Sequence, residues 1–193
     1  MTNEINGSLI VKIPAEEPFY ISQTPVTIAQ YKRCVKEGKC VDPHYRDEFS
    51  KFYFFIFYSG FPVSFVTWDE AKNYCQSYGG DLPTSVQWMI AAGNNKYPWG
   101  NTEPTLSKAN IDGWYQSQLP AGWLSEGKSE YGILDMSGNV REWVLDENEN
   151  GEKELKGGGF QDAWRDSEVE ANFFHEKSSP GFNRGFRCVF PAK

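Results

Sequence analysis

The stretch Tyr131-Gly132-Ile133-Leu134-Asp135-Met136-Ser137-Gly138-Asn139-Val140-Arg141-Glu142-Trp143 decides how this chain is read. It stands inside a longer run, Asn94 to Lys156, that is rich in Gly, Asn, Asp and Trp and has no lasting periodicity. Such a run is too long for a plain connector and too aromatic for disorder. Something must pin it, and the candidates are Trp99, Trp114, Trp123 and Trp143, together with metal ions. Downstream, Gly157-Gly158-Gly159-Phe160 permits a close backbone approach. Gly185-Phe186-Arg187-Cys188-Val189-Phe190 reads as a closing strand with Phe186, Cys188 and Phe190 on one side.

Upstream of the run, local signals are plainer. Leu9 to Ile13 and Phe19 to Ile21 read as short strands interrupted by Pro14 and Pro18. Three capping boxes predict three helices. Thr27 with Gln30 opens the first, with Ile28, Tyr31 and Val35 on one face and Gly38 as the stop. Thr67 with Glu70 opens the second, with Ala71, Tyr74, Cys75 and Tyr78 apolar and Gly79-Gly80 at the end. Thr84 with Gln87 opens the third, backed by Trp88, Ala91 and Ala92 and ended by Gly93.

Length and composition agree with this pattern. A chain of 193 residues makes one compact unit, expected to span residues 1–193. Its 14 Phe, 10 Tyr and 7 Trp, with 18 Gly and 11 Pro, argue against a helix bundle and for a loop-rich α+β or all-β design. A net charge of −7 speaks against a phosphate-tracking groove, so no nucleic-acid partner is expected. The longest apolar run, Phe52 to Tyr58, is far shorter than the roughly 20 residues of a membrane helix, so no span is expected. It is an aggregation hazard if exposed, and is expected to be buried as a core strand, a subunit contact or a side wall of a recognition surface. The start, Met1-Thr2-Asn3-Glu4-Ile5, lacks signal-peptide character; a soluble protein is expected, with cytoplasm, virion and surface display all open. Cysteines fall as Cys34 with Cys40 and Cys75 with Cys188, an even count that suggests bridges, with buried free thiols as the alternative in a reducing compartment.

Several segments, in order, resemble the formylglycine-generating enzyme (sulfatase-modifying factor) family. They are Thr24-Pro25-Val26-Thr27 with Gln30-Tyr31, Pro62-Val63, Val66 to Ala71 with Tyr74-Cys75, Leu82-Pro83-Thr84 with Gln87-Trp88, Pro98-Trp99-Gly100, Ala109-Asn110, Tyr131 to Trp143, and Gly185-Phe186-Arg187. The resemblance implies an α+β, C-type lectin-like fold with few helices, short strands and long loops. It implies a structural calcium site with the carboxylates of Asp135 and Glu142 and the carbonyls of Gly138 and Val140 as ligands, oxygens suited to a hard cation. A second calcium site would begin at Asn110-Ile111, with Asp112, Glu126 or nothing as its acidic ligand. It also implies a Cys75–Cys188 bridge, which would stabilise by roughly 4 to 5 kcal/mol in the chain-entropy treatment. Cys34 and Cys40 would close the first helix onto its exit loop.

The same resemblance exposes a loss. The enzyme holds copper(I) with two cysteines shortly after an Arg-Gly-Gly-Ser motif, and soft thiolates are what that ion needs. Here the motif is Lys156-Gly157-Gly158-Gly159, and the two positions map to Asp162 and Ser167, hard ligands that cannot substitute. No copper is expected. The superfamily's iron-dependent sulfoxide synthases use a histidine cluster, whereas only His44 and His175 exist here. No catalytic residue is therefore assigned.

What remains is a surface. Phe160 to Arg184 sets Phe160, Trp164, Phe173, Phe174 and Phe182 among Asp162, Asp166, Ser167, Asn172 and His175, a mixture suited to recognition. The segment occupies the position of the variable region in the variable proteins of diversity-generating retroelements, which the chain also resembles. The expected function is non-catalytic binding of a protein or glycan ligand through these ten residues. The alternative is an enzyme of the cysteine-lacking branch, like the relatives acting in siderophore maturation.

Overall fold

A computed structural model describes residues 3–42 and 58–192 of the chain. His44 and residues 52–57 of the apolar run lie outside the described residues. Its last residue, Tyr58, is described and meets Phe61 edge-on at 5.1 Å between ring centroids.

The capping boxes are formed as the spacing predicts. α1 (Ile28–Lys36), α2 (Trp68–Ser77) and α3 (Ser85–Ala92) begin after Thr27, Thr67 and Thr84. Each hydroxyl accepts from the backbone N–H three residues on, while Gln30, Glu70 and Gln87 reach back to the cap. Helix ends follow the glycines: Gly38, Gly79 and Gly93 take φ of +70°, +80° and +99°.

Two four-stranded sheets complete the frame. The first, in the order β1 (Asn3–Ile5), β2 (Ser8–Ile13), β3 (Phe19–Ser22) and β8 (Val189–Pro191), is antiparallel and joins the two ends of the chain. The second runs β6 (Asn172–His175), β5 (Lys153–Lys156), β4 (Arg141–Glu147) and β7 (Arg184–Gly185). Its last pair is parallel, with Arg141 opposite Arg184. The expected closing strand is therefore split. Arg184–Gly185 belongs to the second sheet and Val189–Pro191 to the first, and the chain crosses between them. Because that crossing is enclosed on both sides, residues 185–190 are all buried, although Phe186, Cys188 and Phe190 do share one core cluster.

That cluster packs α1 and α2 against Trp143, Leu155 and the crossing segment. A second one gathers Trp88, Ala91 and Ala92 of α3 with Ile13, Ile21, Met136 and Val144. Both expected cysteine pairs are disulfides: Cys34–Cys40 closes α1 onto its exit, and Cys75–Cys188 ties α2 to the crossing segment.

The long run is pinned differently from the expectation. Trp143 is fully buried, and its Nε1 donates to the Val66 carbonyl at 3.1 Å. Trp99 stacks on Tyr97 at 5.0 Å. Trp114 and Trp123, however, are 38% and 67% exposed and do not anchor the loop. Buried polar side chains take over. Arg187, with no exposed area, donates to the carbonyls of Ser22, Gln23 and Leu134. Asn139 bridges the Leu119 backbone, accepting from its N–H and donating to its carbonyl. At Gly138 the φ is +85° and a Cβ would stand 2.3 Å from the Asn110 carbonyl oxygen, so only glycine permits that contact.

Candidate functional site

The segment expected to bind ligand is held from below by backbone bonds. Phe160 N–H donates to the Asn139 carbonyl, and the N–H groups of Gly113 and Asp112 donate to the carbonyls of Phe160 and Asp162. Gln118 Nε2 donates to the Phe182 carbonyl at 2.6 Å. A 3-10 turn, Trp164–Ser167, and strand β6 then carry the side chains.

The ten expected residues separate into three groups. Phe160 is only 3% exposed and packs edge-on against Phe182, so it supports the surface rather than lining it. Ser167 is fully buried, and its carbonyl accepts from Ser137 Oγ. Asp162 is mostly buried: its carboxylate takes Arg141 Nε and Nη2, both at 2.7 Å, and the Gly159 N–H at 2.6 Å. These three are interior or committed. Asp166 and Asn172 are exposed, and Trp164, Phe173, Phe174, His175 and Phe182 are half-buried. Those seven are the accessible part of the set.

Strand alternation sorts them further, placing Phe173 and His175 on one face of β6 and Asn172 and Phe174 on the other. On the first face the Arg141 guanidinium lies 3.8 Å above the Phe173 ring centroid. Arg141 Nη1 and Arg184 Nη2 approach the His175 ring nitrogens at 3.4 and 3.2 Å. Burial and then the charges of Arg184 and Arg141 hold the His175 pKa below its ordinary value. Arg141 and Arg184, absent from the expected set, are thus part of the site. Their signal in the sequence is slight: two arginines flanking glycine turns, brought together only by the parallel β4–β7 pairing. Trp164 lies elsewhere, with Lys96 Nζ 5.2 Å and Arg165 5.3 Å from its ring.

The expected calcium ligands divide as well. Glu142 is fully buried with both carboxylate oxygens committed: Arg187 Nε and Nη2 donate at 2.6 and 2.7 Å, and Trp88 Nε1 at 2.8 Å. Asp135 is aimed elsewhere, accepting from the Gly122 N–H at 2.6 Å, and burial pushes its pKa up to about 6. The Asp135, Gly138, Val140 and Glu142 set therefore does not fit one cation, because Glu142 already neutralises Arg187. Asn110 fits better. It is 2% exposed, its Nδ2 donates to Ser117 O and Asn139 Oδ1, and its Oδ1 has no partner among the described residues. That leaves a hard oxygen beside Ile111.

The polypeptide matches the Sulfatase-modifying factor enzyme 1-like domain over residues 11–192. The chain belongs to that family. It is 30% identical over 154 residues to the inactive C-alpha-formylglycine-generating enzyme 2 of Bos taurus, covering 67% of this chain and 50% of that protein. The chain spans between about a seventh and a half of the length of the curated relatives it matches. Among solved structures it superposes on Treponema denticola variable protein 1 with a TM-score of 0.72 at 18% identity, over 91% of this chain and 85% of that one. PvdO from Pseudomonas aeruginosa gives 0.71 at 18% identity, over 96% and 92%. At such identities the two structures establish the fold, the C-type lectin-like α+β architecture of this family. The family member described here has all four of its cysteines in disulfides. Among the described residues, no helix is long and apolar enough to cross a membrane.

Proposed function

We propose that this family member is a non-catalytic recognition domain that binds a protein or glycan ligand through the accessible part of residues 160–184. One observation carries the proposal: the two positions where the enzyme's redox cysteines would stand hold Asp162, clamped by Arg141, and Ser167, sealed in the interior. With the four cysteines oxidised, the chain has no thiolate to offer a soft ion. The rigid support beneath the segment, and the half-buried Trp164, Phe173, Phe174 and Phe182 above it, suit binding loops that lose little entropy on contact. The likeness to a variable protein and to a relative named inactive supports the same reading.

Calcium belongs to the proposal as a stiffener of the scaffold, and the unpartnered Asn110 Oδ1 supports a site that begins there. The test of function is a ligand selection against the intact chain from peptide and glycan arrays. Ligands captured by the chain are expected to be lost with Trp164→Ala and Phe174→Ala while the melting temperature holds. Turnover of a peptide or small molecule that is abolished by Asp162→Asn, with binding indifferent to the aromatic substitutions, would overturn it.

A further inference from the structure

The cluster around His175 has a charge imbalance. Arg141 is satisfied by the Asp162 carboxylate. Arg184 is not: its Nη1 donates to Ser179 O at 2.6 Å and Ser179 Oγ at 2.8 Å, its Nη2 reaches the His175 ring, and its buried Nε has no partner among the described residues. Among the described residues no carboxylate lies within ion-pairing distance of it. The parallel register pairs Arg184 with Arg141, both guanidinia reach the His175 ring, and burial together with the charge of Arg141 lowers the Arg184 pKa. A half-buried cation beside another cation costs stability, and in a chain of net charge −7 it stands out from its surroundings. Such an imbalance is relieved when a ligand brings the missing negative charge.

Resting on the recognition reading above, we infer that Arg184, with Arg141 and His175 beside it, forms a carboxylate-binding subsite that takes an Asp or Glu side chain of a protein partner. The planar guanidinium suits a carboxylate. Phe173, stacked under Arg141, gives the composition of a protein-binding hot spot, Arg on an aromatic ring, rather than that of a bare anion site. Asp162 holds Arg141 in place without reaching Arg184.

A pH dependence follows. The charged groups facing His175 are Arg184 from β7, Arg141 from β4 with its Asp162, and Glu152, which acts weakly the other way. Lys153, opposite His175 on β5, is paired with Glu147. In the free protein the two arginines disfavour the imidazolium. A bound carboxylate favours it, so the bound-state titration midpoint lies above the free-state one and binding takes up a proton. Affinity therefore rises as pH falls through the bound midpoint and levels off below the free one.

The experiment uses the full chain, a synthetic peptide with two central Glu residues, and its Gln counterpart. His175 is followed by the NMR signals of its ring, with His44→Gln to assign them, and binding is measured calorimetrically from about pH 8 to about pH 5. The Glu peptide is expected to move the His175 midpoint upward and to bind roughly tenfold tighter than the Gln peptide. Arg184→Met should abolish both effects, and Arg184→Lys, which keeps the charge on a folded chain, should restore part of the binding. Equal binding of the two peptides, or an undiminished response in Arg184→Met, overturns the inference. So does an equal effect of acetate alone, or a preference for a sialylated glycan over the Glu peptide. If a selected target depends on Phe174 and Trp164 but ignores Arg184→Met, recognition stands and only this subsite falls.

Discussion

Arg187 and Glu142 form a fully buried bidentate pair to which Trp88 adds a third donor. Two desolvated charges are tolerable there because each is saturated: the carboxylate by three N–H groups, and the guanidinium by that carboxylate and three carbonyls. Removing one partner leaves the other charge unbalanced. Glu142→Gln is therefore expected to lower the unfolding free energy by about 3 to 5 kcal/mol, read by urea denaturation. The loss in Glu142→Gln with Arg187→Met should be well below the sum of the singles. Resemblance assigned Glu142 to calcium because it sees a carboxylate in a motif. What it cannot see is that residue 187, distant in sequence, claims both oxygens. Asn110 is the converse case: a residue marked by its place in a motif that keeps an unpaired oxygen in the fold.

At the scale of elements, the helices and the early strands β2 and β3 were legible, and the pairing of the last strands was not. A capping box is written within four residues, so Thr27, Thr67 and Thr84 marked the helix starts without tertiary help. Thr84→Ala is expected to cost about 1 kcal/mol, seen as a lowered melting temperature with the fold unchanged by circular dichroism. A strand at the chain's end has no such local mark for its partner. Residues 184–191 carry one alternating apolar pattern, yet β7 and β8 pair in different sheets. The Cys75–Cys188 bridge, 113 residues apart, clamps that crossing to α2. Replacing both cysteines with Ala should cost about 2 to 5 kcal/mol, and the Cys34–Cys40 pair, which closes a loop of only a few residues, distinctly less. Matched thermal melts of the two double variants check the order.

For the molecule as a whole, the scaffold and the display surface should respond to different perturbations. Calcium bound only to the folded chain stabilises it by mass action, so chelation is expected to lower the melting temperature and excess calcium to restore it. Asn110→Ala should erase that response, and elemental analysis of protein purified without chelator should then find no calcium. Substitutions at Trp164, Phe174 or Arg184 should leave the calcium response intact, since none of them is a hydrogen-bond partner of Asn110. The sequence by itself determined the helix starts, the loop-rich α+β class, the loss of the thiolate pair and the aromatic content of residues 160–184. Each depends on neighbours in the chain or on which residue types are present at all. Only the tertiary structure decided that Phe160 and Ser167 are interior, that Glu142 belongs to Arg187, and that Arg141, His175 and Arg184 meet. Those outcomes turn on which side chains become neighbours and which charges are left without a partner, and such balances exist only once distant segments have packed.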